Sequence, residues 1–293
     1  KYISNFTGSA GFAVILKNKN YMFVDGRYTI QAGIQCGGQF QICTIPKEYP
    51  FNIFKKKKLK LGFDPKLHTE NSLNRLFDNK FIKLKPVSEN LIDLLWKREK
   101  NPNIKSFYLI KDKDAGLKVE KKLAKLVELI KFNKVDYLFT TASENVAWLL
   151  NIRGEDTMYS PLPNAHIIID KTGKILLFCN LKKINKFLRS KINKHVKIYN
   201  FDLLPNFILN LSNNKILIDS LTCSIFYKSI IKKNNLIIEK QDPIYLLKSL
   251  KNKTEIKNSI KSHIYDGAAL AKFIFWLKNN FKTKKITEIS AQK

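Results

Sequence analysis

Residues 5–29, with the sequence NFTGSAGFAVILKNKNYMFVDGRYT, decide how the first part of the chain folds. Two short apolar runs, at 12–16 and 21–24, are separated by the polar tetrapeptide at 17–20. Apolar runs of this length around a polar turn are typical of two antiparallel strands. The stretch therefore predicts a β-hairpin, preceded by a small-residue turn and followed by the charged sequence Asp-Gly-Arg-Tyr at 25–28.

The small-residue turn Thr-Gly-Ser-Ala-Gly, at 7–11, raises the question of a phosphate-binding loop. It lacks the G-x-G-x-x-G pattern, and no Gly-Lys-Ser or Gly-Lys-Thr closes it. It also precedes a strand, whereas phosphate-binding loops follow a strand and open a helix. We therefore predict a tight bend whose small residues allow close packing.

The tetrapeptide Asp25, Gly26, Arg27 and Tyr28 is the best candidate functional site. Asp25 can cap a helix predicted over 28–36, and Gly26 allows the backbone to turn sharply. Arg27 carries a permanent cation whose planar guanidinium suits a carboxylate or a peptide carbonyl. The alternative interpretation is an internal ion pair between an arginine and an aspartate, and the residues alone leave both open.

Strands and short helices alternate up to a polar, proline-containing segment at 97–103, which is the best candidate for a linker. A first domain is therefore predicted over 1–103. Its further predicted strands lie at 40–45, 59–63 and 81–84, and its further helices at 72–77 and 91–96.

Residues 104–241 predict a second α/β domain with a mixed sheet, because strands and helices alternate again and one strand pair forms a hairpin. Ser143 is the expected N-cap of a helix over 143–150. The strands are predicted at 136–140, 165–170, 174–179, 195–199, 215–219 and 235–239, and the other helices at 114–132, 181–189, 203–211 and 222–231.

A third region, 242–293, contains a long amphipathic helical pattern over 255–277 and the start of another helix near Thr287. One amphipathic helix with only the beginning of its next partner cannot close a core. We therefore expect the chain to be cut inside a third domain.

The composition limits the possible functions. The 293 residues carry a formal net charge of +29, but lysines are scattered, and the one dense block, at 55–58, has no interleaved aromatic residues. We therefore expect solvated surface charge rather than a specific nucleic-acid interface. No apolar run is long enough to cross a bilayer. The isolated Cys36, Cys43, Cys179 and Cys223 predict buried thiols in a reducing compartment.

The residues themselves give no complete active site. His68, His166, His195 and His263 are far apart and show no spacing typical of a metal site. No serine lies in a G-x-S-x-G motif. The sequence therefore assigns no catalytic residue and no metal ligand within this stretch.

Three stretches resemble, in the same order, the Xaa-Pro aminopeptidase (aminopeptidase P) family of the creatinase, or pita-bread, superfamily. YISNFTGSAG…FVDGRYTIQA resembles the N-terminal signature, and TTASENVAWLLNIRGEDTMYSPLPNAHIII, at 140–169, resembles the second-domain signature. IKSHIYDGAALAKFIFWLK and KKITEISAQK resemble the first helices of the catalytic domain. Asn5 replaces a usual glycine, and Ser143 and Glu144 stand where Leu-Asp is common.

The resemblance implies two consecutive creatinase-type α/β domains followed by the first helices of a truncated pita-bread domain. It implies a parent enzyme that removes the residue preceding proline from the N-terminus of peptides. Members bind two divalent ions, usually manganese, through two Asp, one His and two Glu, none of which is in this sequence. The stretch would shape the substrate cleft and support a homodimer, and we expect it to be inactive alone.

The resemblance also implies that Arg27 binds substrate, with Asp25, Gly26 and Tyr28 as supporting residues. It implies a cytoplasmic protein, or an organellar one if a leader precedes it, with peptides as partners and no membrane or specific nucleic acid. The alternatives are an inactive creatinase-like module for binding or dimerisation, and a basic nucleic-acid-binding protein.

Overall fold

The computed structural model describes residues 1–55, 57–96, 104–192 and 194–292. The predicted linker at 97–103 lies outside the described residues. We call residues 1–96 the N-terminal unit and residues 104–252 the central unit. The N-terminal unit contains β1 (Gly11–Ile15), β2 (Asn20–Asp25), α1 (Thr29–Cys36), β3 (Phe40–Ile45), α2 (Pro50–Ile53), β4 (Leu59–Phe63), α3 (Glu70–Phe77), β5 (Ile82–Pro86) and α4 (Leu91–Leu95).

The predicted hairpin is confirmed, since β1 and β2 pair antiparallel with Val14 opposite Tyr21. β3 joins the other edge of β2 in parallel, and β4 and β5 form a separate parallel pair. Alternate residues of β2 point to opposite faces, so two cores form. Met22 and Val24 face α1, whereas Tyr21 and Phe23 belong to a core with Phe54 and Ile82.

The central unit confirms the predicted mixed sheet. Its strands are β6 (Tyr108–Leu109), β7 (Tyr137–Thr140), β8 (Ile152–Arg153), β9 (Ala165–Asp170), β10 (Ile175–Cys179), β11 (Val196–Asn200), β12 (Lys215–Ile218) and β13 (Leu236–Glu239). Its helices are α5 (Asp112–Ala115), α6 (Val119–Phe132), α7 (Ser143–Leu150), α8 (Lys186–Lys191), α9 (Leu204–Leu209), α10 (Ile225–Asn234) and α11 (Pro243–Ser249). Six strands form the sheet in the order β11-β10-β9-β7-β12-β13, in which β9 runs antiparallel to both of its neighbours, and β6 and β8 form a separate short antiparallel pair. Buried apolar clusters cover both faces of the sheet.

Two helix predictions in the central unit need correction. The single helix predicted over 114–132 is two helices, α5 and α6, because Gly116 ends α5 in the left-handed conformation with φ +70°. Ser143 is not the N-cap of α7: the helix already includes Ser143, and Ala142 occupies the cap position without a side-chain bond.

The two units are joined through the N-terminus of α10. The first N–H groups of a helix have no partner within it. Here the backbone N–H groups of Ile225 and Phe226 donate to the carbonyls of His68 and Pro65, both at 2.9 Å. Lys228 also bridges to Glu239, at 2.8 Å, and to Glu70. These contacts hold the loop before α3 against the central unit.

The last elements are α12 (Lys253–Asn280) and α13 (Glu288–Gln292), so the long helix predicted over 255–277 is confirmed and extends further at both ends. Three isoleucines on its predicted apolar side, Ile256, Ile260 and Ile264, are exposed to solvent. Across the described residues, every helix is too short or too polar to cross a membrane.

Candidate functional site

The candidate site lies where β2 ends. The carboxylate of Asp25 accepts from the backbone N–H of Arg27 at 2.9 Å, and this contact opens a short 3₁₀ turn over Gly26–Tyr28 that leads into α1. Asp25 therefore caps this 3₁₀ turn and not the helix predicted over 28–36, because Tyr28 occupies the N-cap position of α1 and makes no side-chain cap bond. Gly26 does not have a positive φ, and a Cβ added there would meet no atom within 4 Å. Neither conformation nor space requires glycine here, so a supporting role for Gly26 stays a prediction.

Arg27 and Asp25 form a two-pronged ion pair. The guanidinium donates from Nε to Oδ1 at 3.1 Å and from Nη2 to Oδ2 at 2.6 Å. The hydrogen bond to Arg27 lowers the pKa of Asp25 below its usual value, and the same bond raises the pKa of Arg27. The internal ion pair, which was the alternative interpretation of this motif, is therefore present.

The ion pair leaves Arg27 available for a ligand. Its side chain is 74% exposed, and within the described residues no acceptor bonds to Nη1. The guanidinium also lies over the Tyr28 ring, 5.2 Å from the ring centre. Asp25 and Tyr28 thus restrict the orientation of Arg27 while one edge of its planar fork faces away from them. Such an edge can donate to a carboxylate or carbonyl oxygen.

The glycine turn is a packed bend that supports Tyr28, which confirms the predicted close packing. A Cβ on Gly8 would overlap the Phe6 ring, and a Cβ on Gly11 would lie 2.9 Å from Met22 Cε. Within the turn, the Ser9 hydroxyl shares a 2.6 Å hydrogen bond with the Tyr28 hydroxyl. The bend therefore positions Tyr28, which in turn lies under Arg27.

Sequence reasoning missed two glutamines of α1 that tie this turn to the helix. Gln35 accepts from the Thr7 backbone N–H at 2.8 Å, and Gln31 donates to the Thr7 hydroxyl at 3.0 Å. The signal was present, because glutamines four residues apart lie on one face of a helix. On the outer side of α1, Ile30 and Ile34 are 81% and 77% exposed, so apolar surface lies close to Arg27 along the chain.

A surface depression of about 640 Å³ does not include the candidate site. It is lined by the β1–β2 turn and by the start of β3. Arg27 follows the other end of β2, at least five residues away, which is roughly 17 Å along a strand. The depression is lined by no acidic, histidine or cysteine side chain, whereas Asp25 and Tyr28 hold the cation of Arg27 in one orientation.

Within the described parts of the chain, no group of three or more His, Cys, Asp or Glu side chains could hold a metal ion. The four cysteines are free and buried, as predicted, and burial raises the pKa of Cys179 and Cys223 to about 12. His166 lies among aromatic rings, and burial lowers its pKa to about 4.

Two consecutive α/β units make up most of the described chain. Residues 1–94 and 97–255 each match a family model described as the creatinase/prolidase N-terminal domain. The chain therefore belongs to the creatinase/prolidase N-terminal domain family, and the predicted pair of such domains is confirmed.

The chain is similar to Xaa-Pro aminopeptidases over most of its length. It is 32% identical to the Probable Xaa-Pro aminopeptidase P of Laccaria bicolor and 29% identical to Xaa-Pro aminopeptidase 1 of Dictyostelium discoideum. These matches cover 94% and 97% of this chain but 45% and 48% of the relatives. The chain thus spans about half the length of the relatives it matches.

A solved structure shows the same arrangement. The X-prolyl aminopeptidase of Caenorhabditis elegans, a cytosolic enzyme with a di-nuclear active site, superposes with a TM-score of 0.84 at 25% identity. The match covers 99% of this chain and 50% of that enzyme. Both units and the helices after them therefore follow one known architecture from end to end.

Proposed function

We propose that this chain is the N-terminal half of a metal-dependent Xaa-Pro aminopeptidase, which removes the residue preceding proline from the N-terminus of peptides. The observation that carries the proposal is the continuous structural likeness to the C. elegans enzyme over 99% of the chain. The sequence relatives support it, because Xaa-Pro aminopeptidases match both units in order.

Arg27 is proposed to contact the peptide substrate. A prolyl peptide bond has no N–H, so recognition near the proline depends on carbonyl and carboxylate oxygens. Arginine supplies only donors, and its planar fork fits these acceptors. In this chain Asp25 uses Nε and Nη2 of Arg27, which leaves Nη1 for the peptide. Tyr28 and Ser9 hold the cation in place, and Gly26 completes the motif.

The catalytic step is proposed to take place outside this chain. The described residues do not fit a metal site, so we derive no step through a metal ion from them. We propose that the parent protein binds two divalent ions, with manganese as the expected metal, through residues of a further domain. Residues 1–103 and 104–241 would be its two N-terminal domains, and 242–293 would open the catalytic domain.

The role of this half is proposed to be shaping the substrate cleft and supporting a homodimer in the cytoplasm. We expect peptides with proline at the second position as partners, and neither a membrane nor a specific nucleic acid. The net charge of +29 makes the last point testable. Any binding to mixed-sequence RNA or DNA should disappear at physiological salt, since counterion release dominates non-specific binding.

The proposal can be tested in the source cells with an antibody raised against residues 114–241. We expect a band of about twice the 34.0 kDa of this chain, because the chain covers about half of its relatives. A band at 34.0 kDa would instead indicate an inactive creatinase-like module for binding or dimerisation, and Arg27 would have no catalytic context.

A further inference from the structure

Lys122, on α6, is a buried cation that the proposed function does not use. Lys122 is 2% exposed, whereas lysines are almost never fully buried unless they are paired. Nζ donates to the carbonyl of Trp148 and to Oδ1 of Asn151, both at 2.6 Å, and lies 4.3 Å from the centre of the Trp148 ring. The Lys122 ammonium therefore bonds to a carbonyl in the last turn of α7 and lies over the Trp148 ring.

Trp148 connects this cation to the first turn of α12. Its indole Nε1–H donates to Oε1 of Glu255 at 3.2 Å. The other oxygen of Glu255 accepts from the backbone N–H of Asn252 at 2.8 Å, as part of the capping box of α12. The Glu255 carboxylate thus bonds both within the cap of α12 and to the Trp148 side chain of the central unit.

The same turn of α12 rests on the end of α5. Asn252 donates to the carbonyl of Ala115 at 2.9 Å, and Asn258 donates to the carbonyl of Asp114 at 3.1 Å. Gly116 leaves room for this contact, since a Cβ there would collide with Asn252 and Thr254. Residues 261–270, further along the helix, are all exposed. The direction of α12 therefore depends on contacts in its first turns.

We propose that Lys122 is a positioning residue that fixes the direction in which α12 leaves the central unit, acting through Trp148 and Glu255. Without the cation, the Trp148 carbonyl keeps only the long bond from the Asn151 N–H, at 3.5 Å, and the indole loses its cation–π contact. The Trp148 ring still packs against the apolar core, but it loses the polar contact that orients its N–H toward Glu255. On the proposed function, this angle also sets where the catalytic domain lies relative to Arg27, but the inference does not need that function to hold.

The direction of α12 can be measured as a distance between two spin labels. Exposed Lys174, on the β9–β10 hairpin, and exposed Lys272, on α12, are replaced by cysteine and labelled. The four native cysteines are buried, so the labels report on the new sites. Lys272 lies 17 residues beyond Glu255, which is about 25 Å of helix, so a tilt of about 10° moves the label by roughly 4 Å.

The parent chain should give one narrow distance distribution. In Lys122→Met, we expect the mean label-to-label distance to shift, or the width of its distribution to increase, by about 4 Å or more, because the label lies about 25 Å of helix beyond Glu255. Lys125→Met is the matched control, because Lys125 is an exposed lysine on the same helix. It should leave the distribution unchanged.

If Lys122→Met does not fold, a second variant still tests the proposal. Trp148→Phe removes the N–H donor and keeps an aromatic ring, and it should change the α12 distance in the same way. A label pair within the central unit, at Lys131 and Lys174, reports whether the sheet is intact. An unchanged α12 distance in Trp148→Phe, with the central-unit distance intact, would overturn the proposal.

Discussion

A cation lies beside an aromatic ring both at the end of β2 and at the C-terminal end of α7, but the first cation is exposed to solvent and the second is buried. Arg27 is exposed, paired with Asp25 and stacked on Tyr28. Lys122 is buried, bonded to backbone and amide oxygens and stacked on Trp148. An exposed pair contributes little to stability and can meet a ligand, whereas a buried cation cannot meet a ligand and fixes its neighbours. The first arrangement suits recognition, and the second suits positioning.

The largest expected effect comes from shortening the buried cation. Lys122→Ala should lower the free energy of unfolding by about 3 to 4 kcal/mol, because it leaves a cavity beside Trp148, removes the donor of Asn151 Oδ1 and weakens the bonding of the Trp148 carbonyl. Lys125→Ala, at an exposed position of the same helix, should have little effect. Urea unfolding measures both, and equal midpoints for the two variants would remove the distinction between buried and exposed cations.

Buried titratable groups in the central unit should make its stability depend on pH. Burial lowers the pKa of His166 from 6.5 to about 4, so the unfolded chain binds the proton more tightly. His166 should therefore contribute its full stability above pH 6.5 and lose up to about 3 kcal/mol of it as the pH falls from 6.5 to 4.

The comparison for this prediction is His166→Phe, which keeps an aromatic ring among Phe139, Phe201 and Tyr227. The difference in unfolding free energy between parent and variant should change over that pH window and stay constant above it. A constant difference throughout would show that His166 is solvated in the folded chain.

A smaller effect is expected at the bend under Tyr28. Gly8→Ala places a Cβ into the Phe6 ring and should lower the free energy of unfolding by about 1 to 3 kcal/mol through overpacking. Gly26→Ala is the control, since its Cβ would enter open space. Thermal unfolding of the two variants checks this, and equal loss of stability in both would contradict the packed-bend account.

The contacts at the end of β2 could be predicted from the sequence better than those at the C-terminal end of α7, for a physical reason. Asp25 and Arg27 are two residues apart, so a cap and an ion pair follow from local geometry alone. Lys122, Trp148 and Glu255 meet across 26 and 107 residues, and no periodicity predicts such contacts. The docking of His68 on the N-terminus of α10 was unpredictable for the same reason.

Helix existence followed from periodicity, but helix boundaries did not. The break at Gly116 depends on a left-handed backbone that makes room for Asn252, a contact from a distant part of the chain. Ser143 had the right chemistry for a cap, but the helix starts one residue earlier than that role requires.

The smallest expected change in stability is at Arg27, where the largest change in function is proposed. Arg27→Ala should leave the thermal unfolding midpoint unchanged, because the ion pair is exposed to solvent. In the full-length protein it should lower kcat/KM for an Xaa-Pro-Pro peptide by roughly tenfold or more, as the loss of a charged hydrogen bond predicts. Unchanged kcat/KM would leave Arg27 as a surface ion pair only.

The most direct test of the account is peptide hydrolysis by the native protein and by this chain. The native protein, captured with the antibody against residues 114–241, is incubated with Mn²⁺ and an Xaa-Pro-Pro peptide beside the purified 293-residue chain and a metal-only blank. We predict release of the N-terminal residue by the native protein and none by the chain alone. Turnover by the chain, or none by the native protein, would contradict the assignment of this chain as the substrate-shaping half of an Xaa-Pro aminopeptidase.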